Sequence, residues 1–207
     1  MTTDTGNRFE LPEPGPMLPP AQAIVLGVKG DDETEDDLTI VWTFILNGKP
    51  PQVGVSVAKK SAISSEEQVA LALIEKHGEF TLNVPDASWV EQFDIIDMCA
   101  SERGDKFAKA GLTRLPSKTV NAPGIAEAPI VLECQVIAPY PLPPGRTVFF
   151  TEVLRVTTHP GVTDGEGKLI PDSKQFFGMA AGCGEFWTFG KKVGNIGMTK
   201  GRTDIRY

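Results

Sequence analysis

Two lysines, Lys59 and Lys60, are followed by hydroxyls at Ser61, Ser64 and Ser65 and then by residues at helical spacing. Cations and hydroxyls ahead of a helix suit a phosphate, because the first helical turn offers unpartnered N–H groups and the positive end of a dipole. The same spacing describes a solvated turn before a capped helix, so residue types alone leave both readings open. A second stretch, "ASERGDKFAKAGL" at 100–112, sets Arg103, Lys106 and Lys109 against Glu102 and Asp105. It is either a surface turn or part of a site for a negative ligand. Other chemistries find little support. The chain has no GxxxxGK[ST] and no G-x-S-x-G, and the glycines of "GMAAGCG" (178–184) follow no strand–turn–helix pattern. Two histidines, His77 and His159, are too few for a multi-histidine metal centre. Carboxylates are plentiful, but none is distinguished by its neighbours. Redox chemistry in such a chain falls to a cofactor rather than to side chains.

The elements that must position these residues read mainly as strands. "AQAIVLGV" (21–28), "LTIVWTFIL" (38–46) and "QVGVSVA" (52–58) are β-branched or apolar runs, separated by the acidic run "GDDETEDD" and by "NGKPP". The acidic run reads as a solvated hairpin tip. Gly54 inside the third strand predicts close approach of another group to the backbone. Ser65 with Gln68, or Ser64 with Glu67, has capping-box spacing ahead of a helix carrying Val69, Leu73, Ile74 and His77, which Gly78 stops. At that end His77 reads as a partner of the helix dipole. "EFTLNV" is a short strand ended by Pro85. Asp86 is placed to cap a second helix whose Trp89, Phe93 and Ile96 form one core stripe. Asp105 is placed to cap a single turn, Lys106 to Ala110, closed by Gly111. "APIVLECQVIAPY" (128–140) and "TVFFTEVLRVTTH" (147–159) predict a long antiparallel pair joined by "PLPPG". At least six strands with two helices inserted between them predict a mainly β fold, a small closed or partly closed barrel.

Composition bounds the partners. The 207 residues carry a formal net charge of −7, which argues against nucleic acid, since phosphate backbones need a basic face. Any anionic ligand must therefore meet positive charge that is local. Three scattered cysteines, Cys99, Cys134 and Cys183, form neither a disulfide framework nor a paired metal motif and suit a reducing compartment. No apolar run approaches the roughly 18 residues of a membrane span, so the expected location is the cytoplasm and no membrane partner is expected. Residues 1–20 are polar and then proline-rich and predict an extended N-terminal arm; 21–207 predict one domain.

In order, "LTIVWTF", "PPQVGVSVAKKS", "GEFTLNVP", "MCASERGDKFAKAGL", "APIVLECQV", "FFTEVLRV" and "GEFWTFG" together resemble the flavin reductase-like, FMN-binding split-barrel family, which includes the flavoredoxins. The resemblance runs from about residue 20 to 195. It implies a split β-barrel, Greek-key-like, with non-covalent FMN and a homodimer in which the flavin lies near the subunit interface. It puts the flavin ring along the main chain of Thr39, Ile40, Val41, Trp42 and Thr43, with Trp42 as an apolar wall and Asn83 as a side-chain contact. It puts the phosphate in the loop of Ala58, Lys59, Lys60 and Ser61, with Ser64 behind it. Residues 100–112 become a lid, from which Ser101 and Lys106 reach the flavin. Where many relatives carry an Arg-aromatic-Thr triplet, this chain has Ser61, Ala62 and Ile63, beside Lys59, Lys60 and Ser64. The implied activity is an oxidoreductase passing electrons through FMN, with NAD(P)H or a redox protein as donor and no catalytic side chain. The alternative is an FMN-binding electron carrier or flavin store without turnover of its own.

Overall fold

Strand pairing, not helix packing, organises the chain. The computed structural model describes residues 13–32, 35–62 and 64–200. Twelve strands run in chain order: β1 (Ala21–Gln22), β2 (Val25–Val28), β3 (Asp37–Ile40), β4 (Trp42–Gly48), β5 (Pro51–Ala58), β6 (Glu79–Val84), β7 (Arg114–Leu115), β8 (Gly124–Ile125), β9 (Ile130–Leu142), β10 (Arg146–Thr158), β11 (Phe177–Ala180) and β12 (Glu185–Thr188). Three helices, α1 (Val69–His77), α2 (Val90–Met98) and α3 (Lys106–Ala110), are inserted between them.

Seven strands form one sheet in the order β3-β2-β6-β9-β10-β5-β4. Its outermost strands, β3 and β4, are consecutive in sequence and separated by Val41 alone. A sheet whose two edges are one residue apart must curl until those edges meet. The result is a barrel joined covalently at Val41 and split along the rest of the seam. The long β9–β10 pair is antiparallel as expected, with register shifts between Phe150 and Thr151 and between Val153 and Arg155.

Two of the expected strands are broken. The first stops after Gln22 and resumes at Val25, and the second is interrupted at Val41. At each break one main-chain bond carries the neighbouring ladder a single residue further in register. Ala23 N–H donates to Phe177 O (3.0 Å) and Val41 N–H to Ile24 O (3.3 Å). Of the predicted arm, residues 13–20 have no regular structure and residues 1–12 lie outside the described residues.

The core has two parts. Inside the barrel lie Leu26, Val28, Val55, Val57, Phe80 and Phe149, with Ala70 and Ile74 of α1 against them. On the opposite face of β2 and β3, Val25 and Leu38 pack with Trp89, Phe93 and Ile96 of the second helical segment and Phe107 of α3. The stripe read as core is core. Phe93 also meets Phe177 and Phe186 edge-on, with ring centroids 5.4 and 5.5 Å away, and so ties α2 to β11 and β12.

Local signals held where a local cause sufficed. Gly78 and Gly111 close α1 and α3 in the left-handed conformation, and Asp105 accepts from Ala108 N–H. Asp86 caps too, but its partner is Ser88 N–H at the head of a 3₁₀ turn, Ala87–Trp89, that leads into α2. At Gly54 a Cβ would stand 2.2 Å from Phe44 Cζ, so the ring of Phe44 lies directly over the backbone there. The capping box is a correction. The residue before α1 is Gln68, with no side-chain cap, and the serine hydroxyls bond within the loop ahead of it.

Because Phe93 joins the outer core to the aromatic cluster, Phe93→Ala should lower stability by about 3–5 kcal/mol in urea unfolding. A loss under about 1 kcal/mol would mean that α2 is not packed as described.

Candidate functional site

The seam gathers the residues expected along the ring of a flavin. Thr39 and Val41 are buried, Ile40 and Thr43 half-buried, and Trp42 is 41% exposed. Thr39 Oγ1 donates to Gln68 Oε1 (3.2 Å), which fixes the strand against the start of α1. Each edge strand pairs on one side only, so its other side presents main-chain donors and acceptors. A cleft at the seam is lined by Gln22, Ile40, Val41, Trp42, Phe93 and Met179, with about 10 Å³ of free space. That holds at most one water. The cleft is therefore too small to enclose a planar ring within the single chain.

Positive charge collects at one end of the seam. The third strand of the sequence reading, β5, ends at Ala58, and the chain turns into Lys59 and Lys60, both exposed. Lys59 N–H donates to Gly145 O (2.9 Å) and Gln68 N–H to Lys59 O (2.9 Å), so the turn is held by the β9–β10 hairpin and by α1. Neither ammonium has an ion-pair partner among the described residues. Arg146, the first residue of β10, pairs with Ala58 in register. Its guanidinium stacks 4.2 Å from the Trp42 ring and donates from Nε to Ser56 Oγ and from Nη2 to Ser56 O, both at 2.6 Å. Sequence reading passed over Arg146. Only the strand register, which sets it opposite Ala58, brings it here.

The loop after Lys60 turns back on itself. Ser61 N–H donates to Glu66 O (2.8 Å), and Ser61 Oγ accepts from Ser64 N–H (3.3 Å). The next hydroxyl crosses to the 100–112 stretch expected as a lid: Ser64 Oγ and Ser101 Oγ are 2.7 Å apart. These two candidates are thereby brought together. Ile63 lies outside the described residues.

Beneath that stretch is a buried charge pair. Lys106 is fully buried, pairs with Asp37 and donates to Ala100 O (2.9 Å) and Leu38 O (3.3 Å). With three acceptors for three protons, its ammonium is fully engaged inside the protein. It therefore anchors the 100–112 stretch to β3 and does not extend toward a ligand. Burial is the main influence on Asp37 and raises its carboxyl to about 6, against the opposing effect of Lys106. Lys109 pairs with Glu102 in the same stretch. The acidic run is corrected likewise: its last two residues, Asp36 and Asp37, are 2% exposed, and Asp36 takes Lys29 Nζ and Arg114 Nε, each at 3.1 Å. Asn83 is also spent on the scaffold. It donates to Val25 O (3.1 Å) and Thr81 Oγ1 (3.0 Å), accepts from Ile125 N–H (2.8 Å), and is fully buried.

Two outcomes test the buried pair. Lys106→Met leaves Asp37 without its counter-charge and should destabilise the fold by about 3–5 kcal/mol, while Asp37→Leu with Lys106→Met should recover most of that loss. A double variant as unstable as the single one would reject the pairing. The pH dependence has a definite sign. A carboxyl raised from 3.8 to about 6 on folding adds stability that is full below pH 3.8 and lost as pH rises through 6. Asp37→Asn removes that slope, so between pH 4 and 6 its stability should gain on the wild type as pH rises. Parallel stability curves would contradict the shift.

Comparison with known proteins agrees with this architecture. The flavin reductase like domain matches residues 19–175. An uncharacterized protein of Pyrococcus abyssi is 29% identical over 169 residues, 81% of this chain and 90% of that one. An uncharacterized protein of Halalkalibacterium halodurans is 32% identical over 92 residues, and the match spans only 43% of its length. Among solved structures, the flavoredoxin of Methanosarcina acetivorans superposes with a TM-score of 0.79 at 20% identity, over 96% of this chain and 100% of that one. The flavoredoxin of Desulfovibrio vulgaris (Miyazaki F) gives 0.78 at 21% identity, over 91% and 97%. A putative flavin reductase with a split barrel domain from Shewanella frigidimarina gives 0.68 at 18%, over 84% of each. With a domain match over most of its length and the curled, edge-split sheet that those structures share, this chain belongs to the flavin reductase-like family.

Proposed function

We propose that the chain binds FMN non-covalently along the seam and works as an oxidoreductase, with NAD(P)H or a redox protein as electron donor. One observation carries this reading: two open strand edges meet at Trp42, and unpaired cations stand at one end of the same seam. The residues fit the group. Main-chain groups on the open edges of Thr39 to Thr43, other than the Val41 N–H already bonded to Ile24 O, match the polar rim of an isoalloxazine, and Trp42 offers an apolar wall. Lys59, Lys60 and the hydroxyl of Ser64 suit its phosphate. Bound FMN supplies reversible one- and two-electron chemistry. The protein's part is to hold the ring against the edge, to pair its polar rim with fixed main-chain groups and to limit its contact with water. Asn83 and Lys106 act from behind, Asn83 by tying β6 to β2 and to Ile125 and Lys106 by holding Ala100 beside β3.

A homodimer completes the same reading. The seam of one chain gives a ring one wall, and its edge strand carries exposed Phe44, Ile45 and Leu46. A second copy packed on that edge would cover both. The three cysteines are unpaired, two of them buried, and no described helix is long and apolar enough to cross a membrane. We assign the protein to the cytoplasm on the cysteines. The small cleft at the seam favours one second reading, an FMN-binding electron carrier or flavin store that does not turn over a substrate.

Added FMN should remain with the protein through desalting and give a bound-flavin absorption spectrum. Lys59→Ala with Lys60→Ala should weaken binding by about 1.5–3 kcal/mol for each charge-assisted bond lost, read by flavin fluorescence titration. Unchanged affinity would remove the phosphate from this loop. Oxidation of NADH or NADPH with an artificial acceptor separates enzyme from carrier: turnover supports the first, and retained flavin without turnover supports the second.

A further inference from the structure

A larger cavity than the seam cleft lies between the small β7–β8 ribbon and the last turns of β10. It has about 300 Å³ of free space, at the lower end of the range for small-molecule pockets. It is set apart from the seam. Ile40 pairs with Val25, Val25 with Asn83 and Asn83 with Val131 on the cavity wall. Three strand spacings make that about 14 Å.

Charge and polarity define what the cavity accepts. Glu133, 2% exposed, takes Lys118 N–H (3.0 Å), Thr119 N–H and hydroxyl (2.6 Å each) and Arg155 Nη1 (2.5 Å). Burial raises the carboxyl of Glu133, but these bonds outweigh it and hold the group below the usual carboxylate range, so it is ionised. Glu133 and Arg155 cancel. The Lys118 ammonium on the same wall has no partner among the described residues, and it leaves one net positive charge. His159 Nε2 lies 2.8 Å from Ala126 O. A carbonyl can only accept, so Nε2 carries the proton and Nδ1 is the other polar atom of the ring. The Thr157 hydroxyl, also on the wall, has no hydrogen bond among the described residues. Ala128 and Val131, 2% and 3% exposed, give the same cavity an apolar side.

We propose that this cavity is a second binding site, for a small organic monocarboxylate with an apolar body. The carboxylate meets Lys118 and the uncommitted N–H groups of Arg155, and the body rests against Ala128 and Val131. One uncompensated cation matches one negative charge, and an apolar wall favours an organic acid over inorganic phosphate. The site owes nothing to the flavin reading.

The two histidines give a direct test by NMR of their imidazole signals in the full chain saturated with FMN. His159→Gln identifies the resonance of the cavity, and His77 serves as internal control. Benzoate is the probe and benzamide its neutral counterpart. Benzoate should shift the His159 signal saturably and leave His77 in place, and benzamide should bind about tenfold more weakly or worse. Lys118→Ala keeps the main-chain N–H that Glu133 uses, so the fold survives, and it should weaken benzoate about fivefold or more. No saturable shift at His159, equal shifts at both histidines, equal binding of benzamide, or an unaffected Lys118→Ala would each overturn the site.

Discussion

Asp36 to Thr43 must serve two edges of one sheet at once. Strand β3 pairs with β2 on one edge and β4 with β5 on the other, and Val41 is the single residue between them. One residue cannot span a flat seven-stranded sheet, so the sheet has to curl. At Val41 the chain is still in register with β2, and from Trp42 it pairs with β5 instead. Val41 is buried, with its N–H given to Ile24 O. Everything proposed at the seam follows from this: open edge groups, an exposed Trp42 beside a buried Val41, and a split that the chain's own strands do not close.

Residues 100–112 depend on the same edge. Lys106 reaches from the start of α3 to Asp37 and Leu38 O on β3 and holds Ala100 O as well. Ser101, next in sequence, meets Ser64 in the loop that follows β5. The stretch is thus tied to β3 by a buried charge and to the cation-bearing loop by a hydroxyl pair. The energies differ: a buried pair is costly to break, whereas an exposed hydroxyl contact contributes little.

What the sequence made legible was whatever has a local cause. Left-handed glycines at 78 and 111, the Asp105 cap and the Trp89, Phe93, Ile96 stripe each depend on residues within a turn or two. The break at Val41 was not legible, because "LTIVWTF" is uniformly strand-forming and the interruption comes from a change of partner, from β2 up to Val41 to β5 from Trp42 on. The fate of the acidic run was hidden for a similar reason. Asp36 and Asp37 look solvated until Arg114 and Lys106 arrive from distant parts of the chain. Strand β2 is buried on both faces, so it shows no alternation that would separate barrel interior from helix-packed exterior. At the site, Lys59, Lys60 and Ser64 stood out by type and spacing, but Arg146 needed the register of β10 against β5.

Charge placement decides how a chain of net charge −7 presents cations to an anion. Most of its basic groups near residues 100–112 are neutralised in place: Lys29 and Arg114 by Asp36, Lys106 by Asp37, Lys109 by Glu102. Neutralised cations build the scaffold and add little field at the surface. Lys59, Lys60 and Lys118 differ, since no ion pair is formed by any of them among the described residues. Against an acidic background such unpaired charges act over about 8–10 Å at physiological salt, so each group of them governs its own neighbourhood and not the other's. Arg146, paired with Ala58 at the loop, and Thr157 on the cavity wall are eleven residues apart along β10, about 36 Å of strand, so the two are electrostatically separate.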